Sequence, residues 1–229
     1  MFKIALDAGH GMNTAGKRCL KSIDPNETRE WWLNDRICDK IEQKLKAYSG
    51  YELLRVDDVT GKTDVALQTR CDKANNFGAN IYLSIHHNAG INGGSGGGIS
   101  GYVWSGATTK LVEYQKMFYN ALIEKTGLKG NRSEPLQKYD FYVLKHTKMQ
   151  ALLFENAFMD STKDTPIILT DDFADKAATA YVETLAKIGG LTKKPTEDKI
   201  AKLEKENADL KKEVENLKAK ISAAQKALQ

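Results

Sequence analysis

Short apolar runs alternate with amphipathic stretches over the first 190 residues of the chain. Runs of strand-like composition predict β-strands at residues 2–8, 51–56, 80–86, 99–104, 141–144 and 151–155. Stretches with a helical period predict α-helices at residues 25–48, 64–77, 108–126 and 171–188. Some strand segments, such as IYLSI and ALLF, are apolar throughout, which is typical of strands buried on both faces. The alternation therefore predicts an α/β fold with a mostly parallel twisted sheet and helices on both faces.

The pattern changes after Gly190, and residues 197–229 follow a heptad repeat. Its seam consists of apolar residues in steps of three and four with one Asn among them: Ile200, Leu203, Asn207, Leu210, Val214, Leu217 and Ile221. β-Branched residues at a, Leu at d and a single Asn at an a position favour a parallel homodimer, in which Glu206 would face Lys211 of the second copy. A solvated single helix and a helix packed on the body are the alternatives. We predict a domain at 1–190, a linker at 191–196 and a C-terminal coiled-coil dimerisation helix at 197–229.

Charge and cysteine content narrow the class of protein. The 34 basic and 30 acidic residues give a net charge of +4, which is too even for a dedicated nucleic-acid binder. Cys19, Cys38 and Cys71 have no C-x-x-C spacing and cannot all pair, which excludes a disulfide scaffold and a zinc ribbon. No stretch approaches the ~18 apolar residues of a membrane span, and the apolar run at the N-terminus is too short for a signal peptide. We therefore expect a protein made in the cytoplasm without a signal peptide.

Two histidines stand where predicted strands end. His10 follows the apolar run IALDA, and His86 closes the run IYLSI. In open α/β sheets ligands bind at the carboxyl ends of the strands, so the two side chains are expected to converge there. A histidine in either place is also compatible with a turn or core role, but two at the same edge, flanked by small residues, indicate a metal or catalytic site.

A carboxylate on the first predicted helix completes a candidate metal site. Asp24 and Glu27 have an explanation as a capping box at the start of this helix, whereas Glu30 has none. Glu30 heads the apolar stripe of that helix, which consists of Leu33, Ile37, Ile41 and Leu45. A carboxylate on a buried face is costly unless it is paired or bound to a metal, and a salt bridge to a residue such as Arg70 is the alternative.

Further polar and aromatic residues are candidates for chemistry or substrate binding. Glu155 ends the run ALLFE and fits a general base and acid beside a metal, or simply a charge at a strand end. His146 either polarises a substrate carbonyl or is an exposed turn residue. Four residues either line a substrate groove or serve in packing: Trp104, Lys138, Tyr139 and Tyr142. The glycine-rich segment 93–101 predicts a loop and lacks the Lys-Ser/Thr ending of a nucleotide-binding loop.

Four separated motifs carry a resemblance to a known family. They are ALDAGHG, the segment REWWLND around Glu30, RCDKANNFGANIYLSIHHNA and YVLKHTKMQALLFENAFMD. Over residues 1–188 the chain resembles the zinc-dependent N-acetylmuramoyl-L-alanine amidases of the Amidase_3 type, and its opening GHGMNTAGKR resembles phage and prophage endolysins of Gram-positive bacteria. The resemblance implies one Zn²⁺ per chain on His10, Glu30 and His86, with Glu155 as the catalytic carboxylate. His87 stands where relatives usually have a small residue, and strand alternation permits only one of His86 and His87 as a ligand.

This resemblance implies a peptidoglycan hydrolase that cleaves the amide bond between N-acetylmuramic acid and L-alanine of the stem peptide. Release by a holin or by cell lysis would then bring the protein to the cell wall. A zinc peptidase acting on stem peptides or cross-links, and a non-catalytic wall-binding protein, are the alternatives.

Overall fold

The computed structural model describes residues 1–195 and 197–227 and divides the chain into two compact units, Met1–Thr192 and Lys193–Gln229. Thr196 of the predicted linker and Leu228 and Gln229 of the predicted terminal helix lie outside the described residues.

The first unit alternates strands and helices. Its strands, with the one that crosses the unit boundary, are β1 (Phe2–Ala8), β2 (Tyr48–Ser49), β3 (Tyr51–Arg55), β4 (Ile81–Asn88), β5 (Ser100–Val103), β6 (Leu136–Lys138), β7 (Gln150–Phe158) and β8 (Thr192–Lys193). Its helices are α1 (Glu30–Leu45), α2 (Leu67–Phe77), α3 (Thr109–Thr126), α4 (Tyr142–Lys145), α5 (Thr165–Ile168) and α6 (Asp171–Gly189).

A six-stranded sheet in the order β3-β1-β4-β7-β5-β6 forms the centre of this unit. All neighbouring strands are parallel except β5 and β7, which pair antiparallel. Alternation along β1 sends Ile4 and Leu6 into a core cluster with α1, α3 and α6, and Ala5 into a second cluster with α2 and α4. The predicted mostly parallel sheet with helices on both faces is confirmed.

The boundaries of some predicted elements differ from the structure. The predicted strand at 141–144 is wrong: Tyr142–Lys145 form one helical turn, because a short apolar run has no period that separates a strand from a buried turn. The first helix begins at Glu30 rather than at residue 25. Asp24 does not cap it, since its carboxylate accepts hydrogen bonds from the backbone N–H groups of Asn26 and Thr28 in the preceding turn. Glu27 lies in the left-handed region and pairs with Arg18, so the predicted capping box is also wrong.

The second unit contains helix α7 (Glu197–Ala227). Among its described residues, the apolar side chains of the heptad seam are exposed, from 41% for Ile200 to 59% for Leu210. No helix in the described part of the chain is long and apolar enough to cross a bilayer.

Candidate metal and catalytic site

His10, Glu30 and His86 converge at the carboxyl ends of β1 and β4. One ligand atom from each can be chosen so that all three lie within 4.8 Å of one another. His10 Nε2 lies 3.4 Å from Glu30 Oε2, and His86 Nδ1 lies 3.0 Å from Glu30 Oε1. The histidine rings meet edge to face with centroids 4.9 Å apart. Residues that are 20 and 56 positions from Glu30 in sequence thus form one cluster because β1 and β4 have their carboxyl ends at this edge of the sheet and α1 begins there.

The backbone around the cluster brings these side chains together. His10 follows β1 with φ of 67°, a left-handed conformation that is uncommon outside glycine. The His86 ring packs directly against Gly9, where an added Cβ would lie 2.0 Å from the ring carbon Cε1. The N–H of Glu30 donates to the carbonyl oxygen of Lys17, which ties the loop before α1 to the start of that helix.

The donor set fits a zinc ion. Glu30 is 1% exposed, and its Oε2 atom is buried without a hydrogen-bond partner among the described residues. Two ligands of a tetrahedral zinc ion lie roughly 3.4 Å apart, which is close to the separation of His10 Nε2 and Glu30 Oε2. Two imidazoles and one carboxylate leave a fourth position open, as catalytic zinc sites require.

The surroundings favour an ionised Glu30 and shift the pKa values of the two histidines in opposite directions. Burial alone would raise the pKa of Glu30, but the hydrogen bond and charge of His86 outweigh it and hold this pKa below its usual value. Burial would lower the pKa of His86, but the same hydrogen bond and charge raise it. Burial lowers the pKa of His10 to about 4, and the charge of Glu30 raises it too little to offset this. At neutral pH the imidazole of His10 is therefore neutral, and its free ring nitrogen can bind a metal ion.

Glu155 stands beside this cluster on the neighbouring strand. It is the register partner of His86 in the parallel β4–β7 pair, so both side chains lie on the same face of the sheet. Its Oε2 atom is buried without a partner in the described part of the chain. Burial raises the pKa of Glu155 to about 7, which suits a group that takes up and returns a proton near neutrality. The strand extends past Glu155 to Phe158, so the residue lies within β7 rather than at its end.

Arg70 does not form the alternative salt bridge to Glu30. This fully buried guanidinium instead donates to Asp7 and to the backbone carbonyl oxygens of Ala8 and His10. Asp7 also accepts from Tyr82. Among the described lysines and arginines, the cation within 4.0 Å of Glu30 is Lys17, whose Nζ lies 3.6 Å from Oε2. No local pattern points to Lys17, since it lies in an irregular loop.

His87 points away from the cluster. Its ring is 2% exposed, and Nδ1 lies 2.8 Å from Oδ1 of Asn34, whose amide in turn donates to the carbonyl oxygen of Gly9. Burial lowers the pKa of His87 to about 3. Its backbone N–H nevertheless donates to Glu30 Oε1, so the backbone of His87, and not its ring, supports the carboxylate.

The cluster opens into a cavity of about 460 Å³. Its walls include His10, Lys17, Asp64, Arg70, His86, Phe141, Tyr142 and Glu155. Of the four residues suggested for a groove, Tyr142 lines this cavity, whereas Trp104, Lys138 and Tyr139 do not. His146 is exposed and stacks on Tyr142, with ring centroids 4.2 Å apart. The structure thus places His146 behind a wall residue of the cavity.

Comparison with known proteins gives concordant matches. Residues 4–187 match the Amidase_3 family, described as N-acetylmuramoyl-L-alanine amidase. The chain is 29% identical over 195 residues to the N-acetylmuramoyl-L-alanine amidase CwlM of Bacillus licheniformis, covering 84% of this chain and 71% of that protein. It is 30% identical over 191 residues to the endolysin of Bacillus phage SPP1, covering 82% and 66%.

A solved structure with the same fold is the N-acetylmuramoyl-L-alanine amidase from Clostridium difficile 630, with a TM-score of 0.72 and 25% identity over 81% of this chain and 95% of that one. The catalytic domain of the amidase CwlV from Bacillus (Paenibacillus) polymyxa has a TM-score of 0.71 and 22% identity over 82% and 98%. With the family match spanning most of the first unit, the chain belongs to the Amidase_3 family of N-acetylmuramoyl-L-alanine amidases.

Proposed function

We propose that this amidase uses one zinc ion per chain, held by His10, Glu30 and His86, to hydrolyse the bond between N-acetylmuramic acid and L-alanine. The observation that carries the proposal is the convergence of these three side chains beside the unpartnered carboxylate of Glu155 in one cavity. A zinc ion held there would supply Lewis acidity toward water and toward the carbonyl group of the scissile bond.

The roles of the protein side chains follow from their surroundings. Glu155 takes a proton from the attacking water and returns it to the departing amine of L-alanine. Its pKa of about 7 lets it exist in both forms near neutral pH. His87 and Asn34 join β4 to α1 behind the cluster, and Tyr142 lines the cavity in front of it.

The biological setting that best fits is lysis of the bacterial cell wall. The relatives include a phage endolysin and a sporulation-specific amidase of Bacillus subtilis. We infer an endolysin-like role in which the protein is made in the cytoplasm and reaches peptidoglycan after a holin or cell lysis releases it. In this arrangement residues 1–190 are the catalytic domain and 191–196 the linker.

Digestion of purified peptidoglycan tests the reaction. The protein is incubated with and without a chelator, and the newly freed amino termini are identified. Fresh N-terminal L-alanine that disappears with the chelator and returns with zinc supports the proposal. Another new terminus indicates a zinc peptidase, and wall binding without hydrolysis by the zinc-loaded protein indicates a non-catalytic binding protein.

We propose in addition that α7 pairs in parallel with α7 of a second copy. The supporting observation is the exposed apolar seam, in which Leu203 and Leu210 are at least half exposed in the single chain. Pairing would bury this seam and link two catalytic domains, which raises avidity for the wall.

Sedimentation at micromolar concentration tests the pairing. Leu210→Lys places a charge in the seam and should shift the protein to a monomer. Ala219→Lys adds the same charge at the outward f position of the heptad and should leave the dimer intact. A native chain that sediments as a monomer contradicts the pairing.

A further inference from the structure

A second cavity of about 580 Å³ lies next to the catalytic one. Phe141 lines both cavities, so they meet at this ring. The ring lies 4.5 Å from that of Tyr139 and 5.3 Å from that of Tyr102, centroid to centroid. The other walls of the second cavity combine the apolar side chains of Ile91 and Phe158 with glycine backbone, the amide side chains of Asn88, Asn131 and Gln137, and Arg132. The second cavity therefore adjoins the cavity that contains the three clustered side chains.

Arg132 is the cationic side chain among the lining residues of the second cavity. Its guanidinium lies 5.5 Å from the centre of the Phe158 ring, a cation–π contact that restricts its position. Among residues 1–195 and 197–227, no carboxylate comes within 4.0 Å of this guanidinium. Arg55 and Arg70 are by contrast each paired with carboxylates, and the half-buried Arg36 donates to the backbone carbonyl oxygens of Ile168 and Leu169. Arg132 is thus a restrained cation facing a cavity without a protein counter-ion.

A hydrogen-bond donor lies next to Arg132 in the sequence. The Oδ1 atom of Asn131 accepts a hydrogen bond from the N–H of Gly97, which turns the amide Nδ2 of this side chain into a donor available to a ligand. The charge of Arg132 also affects the catalytic carboxylate. Burial raises the pKa of Glu155, and the positive charge of Arg132 is one of the charges that lower it. Arg132 is thus the charged side chain that lines the second cavity, and its charge reaches the carboxylate at the reacting centre beside that cavity.

A carboxylate is the ligand chemistry that fits such a site, because Arg binds carboxylates with two parallel hydrogen bonds. In the amidase substrate the lactyl carboxyl group of N-acetylmuramic acid is consumed in the scissile amide, so the glycan side near that bond is uncharged. The free carboxylates near the bond belong to the stem peptide. Resting on the proposed function, we propose that the second cavity binds a carboxylate of the stem peptide through Arg132 and so selects peptidoglycan whose stem carboxylates are free over peptidoglycan in which they are amidated.

The test measures binding rather than turnover. The Glu155→Gln variant with zinc is titrated calorimetrically with two soluble muramyl peptides of identical sequence, one with free carboxylates and one with these groups amidated. Adding Arg132→Gln should weaken binding of the free form roughly 10- to 100-fold, the value of one charge-assisted bidentate contact, and leave binding of the amidated form unchanged. Arg132→Lys should lie between the two. Lys138→Gln removes a neighbouring exposed charge that lines neither cavity and should change neither affinity.

Three outcomes overturn the inference: equal affinity of the parent variant for both peptides, equal weakening of both by Arg132→Gln, or no binding of either peptide. Failure of the proposed reaction is recognised separately. In that case wild-type protein releases no N-terminal L-alanine from peptidoglycan, while the preference for the free carboxylate and its dependence on Arg132 are still measured in the titration.

Discussion

The Nη2 atom of Arg70 donates a 2.9 Å hydrogen bond to the backbone carbonyl oxygen of His10. A left-handed non-glycine residue is disfavoured by about 1–2 kcal/mol, so the conformation of His10 needs such support. Because the same guanidinium is ion-paired with Asp7, the position of a candidate metal ligand depends on a buried ion pair beneath it.

Replacing Arg70 with lysine should therefore weaken zinc binding. Arg70→Lys keeps a positive charge beside Asp7 but loses the fork that reaches His10, and loss of a group that orients a metal ligand typically costs 10- to 100-fold in affinity. Competition with a chromophoric chelator measures the change. Arg55→Lys is the matched control, since Arg55 is also a buried ion-paired arginine but lies away from the site. Equal zinc affinities for both variants would contradict the role of Arg70.

Gly9 is predicted to be indispensable for the position of His86. A Cβ at this residue would lie 2.0–2.4 Å from three atoms of the His86 ring, so Gly9→Ala must displace that ring. We expect a large loss of zinc affinity with a folded protein, checked by metal titration and circular dichroism. Gly78→Ala is the control: its φ of 67° makes alanine costly to stability, yet nothing lies within 4 Å of the added Cβ and zinc binding should be unaffected. A Gly9→Ala variant with native affinity would be evidence against His86 as a ligand.

Sequence patterns predicted the sheet and the three clustered side chains, but not the residues that contact those side chains and hold them in position. His10, Glu30 and His86 could be found because strand ends and an apolar helix stripe are local patterns that place residues at one edge. The contacts of Arg70 with residues about 60 positions away, and the approach of Lys17 to Glu30, depend on tertiary packing and have no local signal. The apolar run at 141–144 favours a strand by composition but forms a helical turn, because four residues are too few to show a period.

Zinc uptake should release a proton near neutral pH. In the metal-free protein the hydrogen bond and charge of Glu30 raise the pKa of His86 against the effect of burial, so its imidazole keeps its proton to a higher pH than an ordinary histidine, and zinc must displace that proton. Zinc affinity should therefore rise with pH until His86 deprotonates unaided. Calorimetry at pH 7 in two buffers with different ionisation enthalpies counts the protons released.

His87→Gln is the control for this measurement. Burial lowers the pKa of His87 to about 3, so it is neutral at pH 7 and contributes no proton. The variant should lose stability, because the ring is buried beside Asn34, but release the same number of protons per zinc ion as the native protein. Loss of the proton signal in His87→Gln rather than in a His86 variant would reverse the assignment of the two histidines.

Substitution of Glu155 separates catalysis from metal binding. Glu155→Gln keeps the size of the side chain but cannot take up a proton, so kcat should fall by about 10²- to 10⁴-fold while the zinc content stays at that of the native protein.

Because burial raises the pKa of Glu155 to about 7, and a nearby dication lowers it, native activity should decline as the pH falls and the carboxylate becomes protonated. The residual activity of the variant should lose this acid limb. Glu134→Gln removes an exposed carboxylate outside both cavities and should leave rate and pH profile unchanged, whereas near-native turnover in Glu155→Gln would remove this residue from the mechanism.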